Sequence, residues 1–402
     1  MDKITKHNWQ TKKLGEVCEF QNGFAFKSKL FKEDGFPILR ISNIQSDGIS
    51  YNRLVFFDKN SYKDNFDRYQ VLKGDLVIAM SGATTGKLAI SDADEAFYLN
   101  QRVGKFKPKK DLSKDYLYYF LSTRIEENLR ISAGSAQPNL STEQIKYFKI
   151  PLPSLPEQQR IVKILDEVFE KTAKAKENAE KNLQNAKELF ESYLQSVFAN
   201  PGKNWERKKL GDVCGFVRGP FGGSLKKNIF KKEGYAVYEQ QHAIYNQFDK
   251  IRYFIDEKKF QEMSRFELKP NELIMSCSGT MGKIAIAPEN IKKGIINQAL
   301  LKLNPNKYLL NVFLSYWIKS SVFQYSLEGY SKGAAIKNVV SVKILKEIGI
   351  FIPPLDEQRA IVRKIDAFSM GTKKLEGIYE QKLADLEELK KSILKEAFNG
   401  RL

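Results

Sequence analysis

The sequence predicts an α+β fold: two globular mixed α/β domains, each followed by a long helix, the helices packed as an antiparallel coiled-coil-like pair with pseudo-two-fold symmetry. Three observations predict it. The chain repeats itself once, its texture changes at a proline-rich segment in each copy, and an amphipathic stripe follows each of those segments.

The repeat is plain at the start of each copy, where Trp9-Gln-Thr-Lys-Lys-Leu-Gly-Glu-Val-Cys18 returns as Trp205-Glu-Arg-Lys-Lys-Leu-Gly-Asp-Val-Cys214. Ser81-Gly-Ala-Thr-Thr-Gly-Lys87 then matches Ser278-Gly-Thr-Met-Gly-Lys283, and Asn100-Gln101 matches Asn297-Gln298. Gly134-Ser-Ala-Gln-Pro-Asn139 matches Gly333-Ala-Ala-Ile-Lys-Asn338, and Leu155-Pro-Glu-Gln158 matches Leu355-Asp-Glu-Gln358. A period this long marks a duplicated domain rather than a solenoid of short repeats.

Within each copy the first part holds short β-branched and aromatic runs bounded by Gly, Asn and Asp, such as Pro37-Ile-Leu-Arg-Ile41, Leu76-Val-Ile-Ala-Met80 and Leu273-Ile-Met-Ser276. These read as strands. The runs Tyr116-Leu-Tyr-Tyr-Phe-Leu121 and Leu309 to Trp317 are too densely apolar for a surface strand, and each is expected as a helix packed on the sheet. The prolines at 151–156 and 353–354 close this part.

Beyond them, Ile161, Leu165, Val168, Leu189 and Tyr193 lie on a stripe with three- and four-residue spacing, and Ile361, Ile365, Phe368, Leu386, Leu389 and Ile393 do so in the second copy. A 40-residue helix is about 60 Å long, and such stripes are expected to bury each other. Charged substitutions such as Leu189→Asp or Leu386→Asp are therefore expected to disturb folding or assembly.

Composition narrows the function. With 66 Lys+Arg against 48 Asp+Glu the net charge is +18 and the pI about 9.4, which favours a polyanionic partner such as nucleic acid. Cys18, Cys214 and Cys277 are too few and scattered for a disulfide framework, and with His7 and His242 they form no zinc set. No apolar run approaches the ~20 residues that span a bilayer. A soluble, cytoplasmic, metal-free protein is expected.

The entry Trp9…Leu14-Gly-Glu-Val17, the Ser-Gly turn with its Gly-Lys end, the Asn-Gln pair, and Pro-Leu-Pro-x-Leu-x-Glu-Gln-x-x-Ile-Val occur in order and, with small variations, twice. In this the chain resembles the specificity subunit of type I restriction-modification systems along its whole length. The resemblance implies target recognition domains at 1–152 and 201–352 and spacer helices at 153–200 and 353–402. It further implies double-stranded DNA as ligand and a split, asymmetric target. Two methyltransferase subunits would dock on the helices, with restriction subunits joining the full complex. S-adenosylmethionine, ATP and Mg would belong to those partners, and this chain would bind no cofactor. DNA presents one face per helical turn, so half-site centres about 10 bp apart are expected.

Candidate DNA contacts follow from residue type and place. Ser81, Thr84 and Lys87, with Ser278, Thr280 and Lys283, sit in the glycine turns. These turns lack the Gly-x-x-x-x-Gly-Lys-[Ser/Thr] spacing of a nucleotide loop, so each is a strand-to-strand turn or a contact of backbone N–H and lysine with DNA phosphate or a base. Gln137 and Asn139, with Lys332, Lys337 and Asn338, lie in or beside small polar loops that are hinges or contacts. Arg40 and Asn43, and in the second copy Gln240, Gln241 and His242, follow a strand and carry groups suited to base edges. Gln101, Arg102 and Gln298 belong to the Asn-Gln turns, and Lys27, Lys29, Arg218, Lys226 and Lys227 are candidates for phosphate.

Enzymatic readings fare poorly. No Asn-Pro-Pro-[Phe/Tyr] segment is present to grip an extruded adenine, and Asn304-Pro-Asn306 only begins like one. A nuclease built on Asp256 and Glu267-Leu-Lys269 has no counterpart in the first copy, where Gln70-Val-Leu-Lys73 stands. A pure assembly scaffold is the remaining alternative, and sequence-blind binding would mark it.

Overall fold

The computed structural model describes residues 9–45, 48–132, 139–278, 280–331 and 342–402. They form two compact units, one of the described residues within 1–179 and 382–402 and one of those within 180–381. The units therefore do not follow the linear order of domain and helix: each takes the start of one long helix and the end of the other.

In the first unit Gln10–Lys13 pairs antiparallel with Lys149–Leu152, which brings the beginning of the globular part to the point where the long helix departs. One four-stranded antiparallel sheet has the order Cys18–Asn22, Val103–Pro108, Leu76–Ala79, Leu88–Ile90. A second has the order Val55–Phe57, Phe36–Leu39, Phe97–Leu99, Gln70–Val71, with its central pair parallel. Leu76–Ala79 is buried on both faces, and the two-residue period of a strand divides its side chains. Leu76 and Ile78 face a core built with the helix Lys114–Ser132, whereas Val77 and Ala79 face the core that contains Leu39, Val71 and Leu99.

The second unit repeats this topology. Glu206–Lys209 pairs with Gly349–Ile352, and the sheets run Cys214–Arg218, Leu300–Pro305, Leu273–Ser276, Ile284–Ile286 and Phe254–Ile255, Tyr235–Tyr238, Gly294–Ile296, Glu267–Leu268. Leu273 and Met275 join one core and Ile274 the other, as in the first unit. The copies differ after the third main strand. The first places a small Ile44–Gln45 and Gly48–Ile49 pairing there, the second the helix Gln240–Tyr245. The strand expected through Ile41 ends at Leu39, and Ile41–Asn43 forms a 3-10 turn.

Each pair of sheets is pinned by a buried lysine. Lys105 Nζ donates to the Asp75 carboxylate at 2.9 Å and to the Gln70 carbonyl, while Lys302 Nζ donates to Glu272 at 3.1 Å and to the Glu267 carbonyl at 2.7 Å. Gln70–Val71 and Glu267–Leu268 thus occupy the same sheet position. Asp256 accepts from Lys259 N as a helix cap at 2.9 Å, and Lys269 N donates to the Glu272 carboxylate at 2.8 Å.

The long helices span Leu155–Ala199 and Leu355–Phe398. Within the first unit Arg160 donates to the Leu402 carbonyl at 2.7 Å and Lys176 pairs with Glu387 at 2.7 Å, so numbers fall on one segment as they rise on the other. Within the second, Tyr193 stacks on Phe368 at 4.4 Å. The segments run antiparallel, as expected.

The expected seam needs correction in detail. Leu189 and Leu389 are 49% and 44% exposed, whereas Ala179, Ala186 and Thr372 are buried. Closely packed helices favour small residues at the seam and leave large ones at its flanks. Ile161, Leu165 and Ile393 pack into the first globular core beside Tyr116 and Phe120, and Ile361 and Ile365 into the second beside Phe313 and Leu314. The ends of the stripes belong to the domains, not only to each other.

Candidate nucleic-acid interface

The glycine turns are hairpin connections that project at one end of each sheet. In the first, Gly86 N donates to Ala79 O at 2.7 Å and Ala79 N to Lys87 O at 3.0 Å, while Gly82 and Gly86 hold the positive φ that a tight return requires. In the second, Gly282 N donates to Ser276 O at 3.0 Å and Ser276 N to Lys283 O at 2.8 Å. Thr84 Oγ1 donates to Ile41 O at 2.9 Å, Lys87 Nζ to Gln45 Oε1 at 3.0 Å, and Gln240 Nε2 to Thr280 O at 3.2 Å. Each turn is therefore docked on the segment that follows the third main strand. Lys283 is exposed and Lys87 half-buried.

The Asn-Gln turn and the turn at 81 meet in an open cleft of about 640 Å³ in the first unit, lined by Asn22, Ser81, Gln101, Arg102, Asn139 and Thr142 among others. Met80 N donates to Arg102 O, Leu140 N donates to Met80 O, both at 2.9 Å, and Ser81 faces Asn139 in a β-bridge. Thr142 Oγ1 donates to Asn22 Oδ1 at 3.0 Å. Gln101 and Arg102 are exposed on the rim. Asn22 and Thr142 were not expected from sequence. Asn22 ends a strand just before Gly23, and a Cβ at Gly23 would lie 2.0 Å from Asn100 O, so glycine is required there.

By the repeat, the equivalent rim of the second unit carries Arg218 in place of Asn22, Ser278 for Ser81, Gln298 for Gln101 and Ala299 for Arg102. A Cβ at Gly219 would lie 1.8 Å from Asn297 O, the same close approach. Burial raises the Cys277 thiol, opposed by the nearby Arg218 guanidinium. The rim is thus built on one backbone plan with different polar groups. A further cleft in this unit, about 710 Å³, joins Lys283 and Gln324 to Glu188 and Glu191 of the long helix.

Other expected contacts are placed differently. Asn43 is buried, accepting from Arg40 N at 3.1 Å and donating to Ser50 O at 3.0 Å. His242 is fully buried, its Nδ1 accepting from Glu239 N at 2.8 Å, and burial lowers its pKa. Both side chains cap the turn after the strand rather than face solvent. The signal was their matched position, since Asn and neutral His each accept from a backbone N–H. Arg40 Nη2 donates to Arg53 O at 3.0 Å and Gln241 Nε2 to Lys250 O at 3.2 Å. Lys27, Lys29, Lys226 and Lys227 are exposed. Gln137, Lys332, Lys337 and Asn338 lie outside the described residues, as does His7. Burial pushes the Cys18 and Cys214 thiols up to about 12, so neither is a nucleophile at neutral pH. No described helix is long and apolar enough to cross a membrane.

A model of the type I restriction modification DNA specificity domain matches residues 6–184 and again 202–387. The EcoBI specificity subunit of Escherichia coli is 25% identical over 98% of this chain and 86% of its own length. The putative MjaX specificity subunit of Methanocaldococcus jannaschii is 27% identical over 98% of this chain and 94% of its own. Among solved structures, a chain from a type I R-M system study superposes with a TM-score of 0.79 at 21% identity, covering 98% of both chains. The HsdS subunit from Thermoanaerobacter tengcongensis gives 0.63 at 21% identity, over 98% of this chain and 97% of that one.

Proposed function

Because the chain belongs to the type I restriction modification DNA specificity domain family, we propose that it is the DNA-reading subunit of such a system, each unit reading one half of a split, asymmetric target. The observation that carries this is the rim just described. Two copies of one scaffold present Asn22 and Arg102 in one case and Arg218 and Ala299 in the other. Two different half-sites require a constant frame with different donors and acceptors. The helices serve as spacer and as docking surface for two methyltransferase subunits, to which restriction subunits are added. The chain acts in the cytoplasm and binds no cofactor itself; S-adenosylmethionine, ATP and Mg work on the partners.

Co-expression with a methyltransferase partner, followed by mapping of modified adenines, tests this. The expected result is a bipartite motif with half-site centres about 10 bp apart. Exchange of the first globular part for another family member's should change one half of the motif and leave the other. A stable complex that modifies nothing new would put the scaffold reading in its place. Lys283→Ala should weaken binding and make the salt slope shallower by roughly 0.9, the value for one phosphate contact. An unchanged slope in a salt titration removes Lys283 from the interface.

A further inference from the structure

Between Gly219 and Lys226 the second copy carries Pro220-Phe221-Gly222-Gly223-Ser224-Leu225, where the first has only Phe24-Ala25-Phe26 between Gly23 and Lys27. The flanks are fixed alike. Gly23 and Gly219 press on the backbone of Asn100 and Asn297, and a 3-10 turn follows at Ser28–Leu30 and at Lys227–Ile229. In the first copy Phe26 is buried and Phe24 packs edge-on against Phe26, Tyr62 and Phe66. In the second, Leu225 takes the buried place beside Val237, Ile255 and Phe260. The three added residues bulge outward instead. Phe221 O accepts from Ser224 N at 2.8 Å, and the Phe221 ring stands 89% exposed, more than any other large apolar side chain among the described residues.

An isolated exposed apolar residue is ordinary. This one differs in its surroundings, since the loop leaves the strand at Arg218, starts against the Asn297-Gln298 turn, and ends in the exposed pair Lys226-Lys227. The segment offers three cations and no carboxylate from Val217 to Lys227. A phenylalanine held out on a short loop amid cations suits duplex DNA, where the cations meet phosphate and the ring meets a base step.

We propose that Phe221 is a wedge that inserts against a base step of the half-site read by the second unit, unstacking it and fixing the register of that unit on the duplex. The proposal rests on the DNA-reading function above. The first unit, whose Phe24 and Phe26 pack into its core at the equivalent place, makes no such insertion.

The test uses the full chain with its methyltransferase subunits on a duplex bearing the mapped target. 2-Aminopurine is placed in turn at steps of the second half-site other than the methylated adenine. The expected result is a fluorescence rise at one step with the wild-type complex, abolished by Phe221→Ala and kept by Phe221→Trp, with roughly tenfold or more loss of affinity for Phe221→Ala, as for a lost base–aromatic stack. Equal fluorescence and affinity in wild type and Phe221→Ala would overturn the wedge while leaving the DNA reading intact. Loss of the methyltransferase subunits from the Phe221→Ala complex, seen by native mass spectrometry, would assign the ring to a protein contact and overturn it too. A wild-type complex that shows no preference for the mapped duplex would overturn the reading itself and the wedge with it.

Discussion

Leu394→Asp, eight residues from the end of the sequence, is expected to unfold the first globular unit. Leu394 is 7% exposed and belongs to one core with Tyr116, Leu117, Phe120, Ile161 and Leu165. Two aromatic contacts anchor the same segment, Phe398 with Tyr116 at 5.1 Å and with Phe120 at 5.6 Å. The substitution removes about 2 kcal/mol of apolar burial and forces a carboxylate into that core, and Arg124, Lys391 and Lys395 of the adjoining cleft offset only part of its desolvation. The sum, on the order of 5 kcal/mol, is comparable to the whole stability of a domain. Hydrogen exchange reads it directly: amides of Leu76–Ala79 and of residues 103–107 should lose protection although the substitution lies roughly 290–320 residues away. Leu194→Asp should do the same to the second unit, where Leu194 is 2% exposed beside Phe313 and Trp317. Leu189→Asp, expected from the stripe alone to be damaging, should fall within about 1 kcal/mol because its side chain is half in water. Retained protection in Leu394→Asp would mean that the terminal segment is not part of the first unit's core.

The duplication, the proline boundaries and the long helices were legible because each is a pattern of residue types at fixed spacing, and pattern is what a sequence carries. The exchange of helix ends between units was not, since the apolar stripe around Ile161 or Leu394 looks the same whether its partner is a helix or a domain core. Asn43 and His242 show the limit for the site. An amide and an imidazole after a strand suit a base edge by chemistry, and only the backbone path shows that each accepts from an N–H three residues back. Gln101, Ser81 and Asn139, singled out one by one from separate matched motifs, line one cleft in the first unit. Their partners Asn22 and Thr142 had no motif to mark them. Phe221 was marked by the repeat itself, as a local excess of residues in one copy, and only its exposure gives that excess a meaning.

Gln158→Leu and Gln358→Leu are expected to lower the thermal midpoint of their own units by roughly 6–12 °C. In both copies this glutamine is fully buried within the first helical turn after the prolines. Gln158 Oε1 accepts from Ser113 N at 2.8 Å, and its Nε2 donates to Asp111 O and Pro153 O at 2.9 Å each. Gln358 repeats the arrangement with Leu310 N at 2.9 Å, Tyr308 O at 2.8 Å and Pro353 O at 2.9 Å. One amide thereby joins three chain segments: the loop before the packed helix, the exit of the last strand, and the long helix. Leucine matches its volume but leaves a donor and two acceptors without partners. At about 1 kcal/mol or more each, the cost is about 3 kcal/mol, and a domain near 200 residues loses roughly 2–4 °C per kcal/mol. Gln158→Glu separates hydrogen bonding from packing. Burial beside two carbonyls raises the new carboxyl's folded pKa above its unfolded value near 4.3. Its folded state therefore binds the proton more tightly, and its deficit should grow as pH rises past that value and shrink on acidification, relative to wild type at each pH. Gln158→Leu, with nothing to titrate, should show a constant deficit across the same range. Equal, pH-independent midpoints for both variants would mean that the amide merely fills space and that the angle at which each helix leaves its domain is fixed by other contacts.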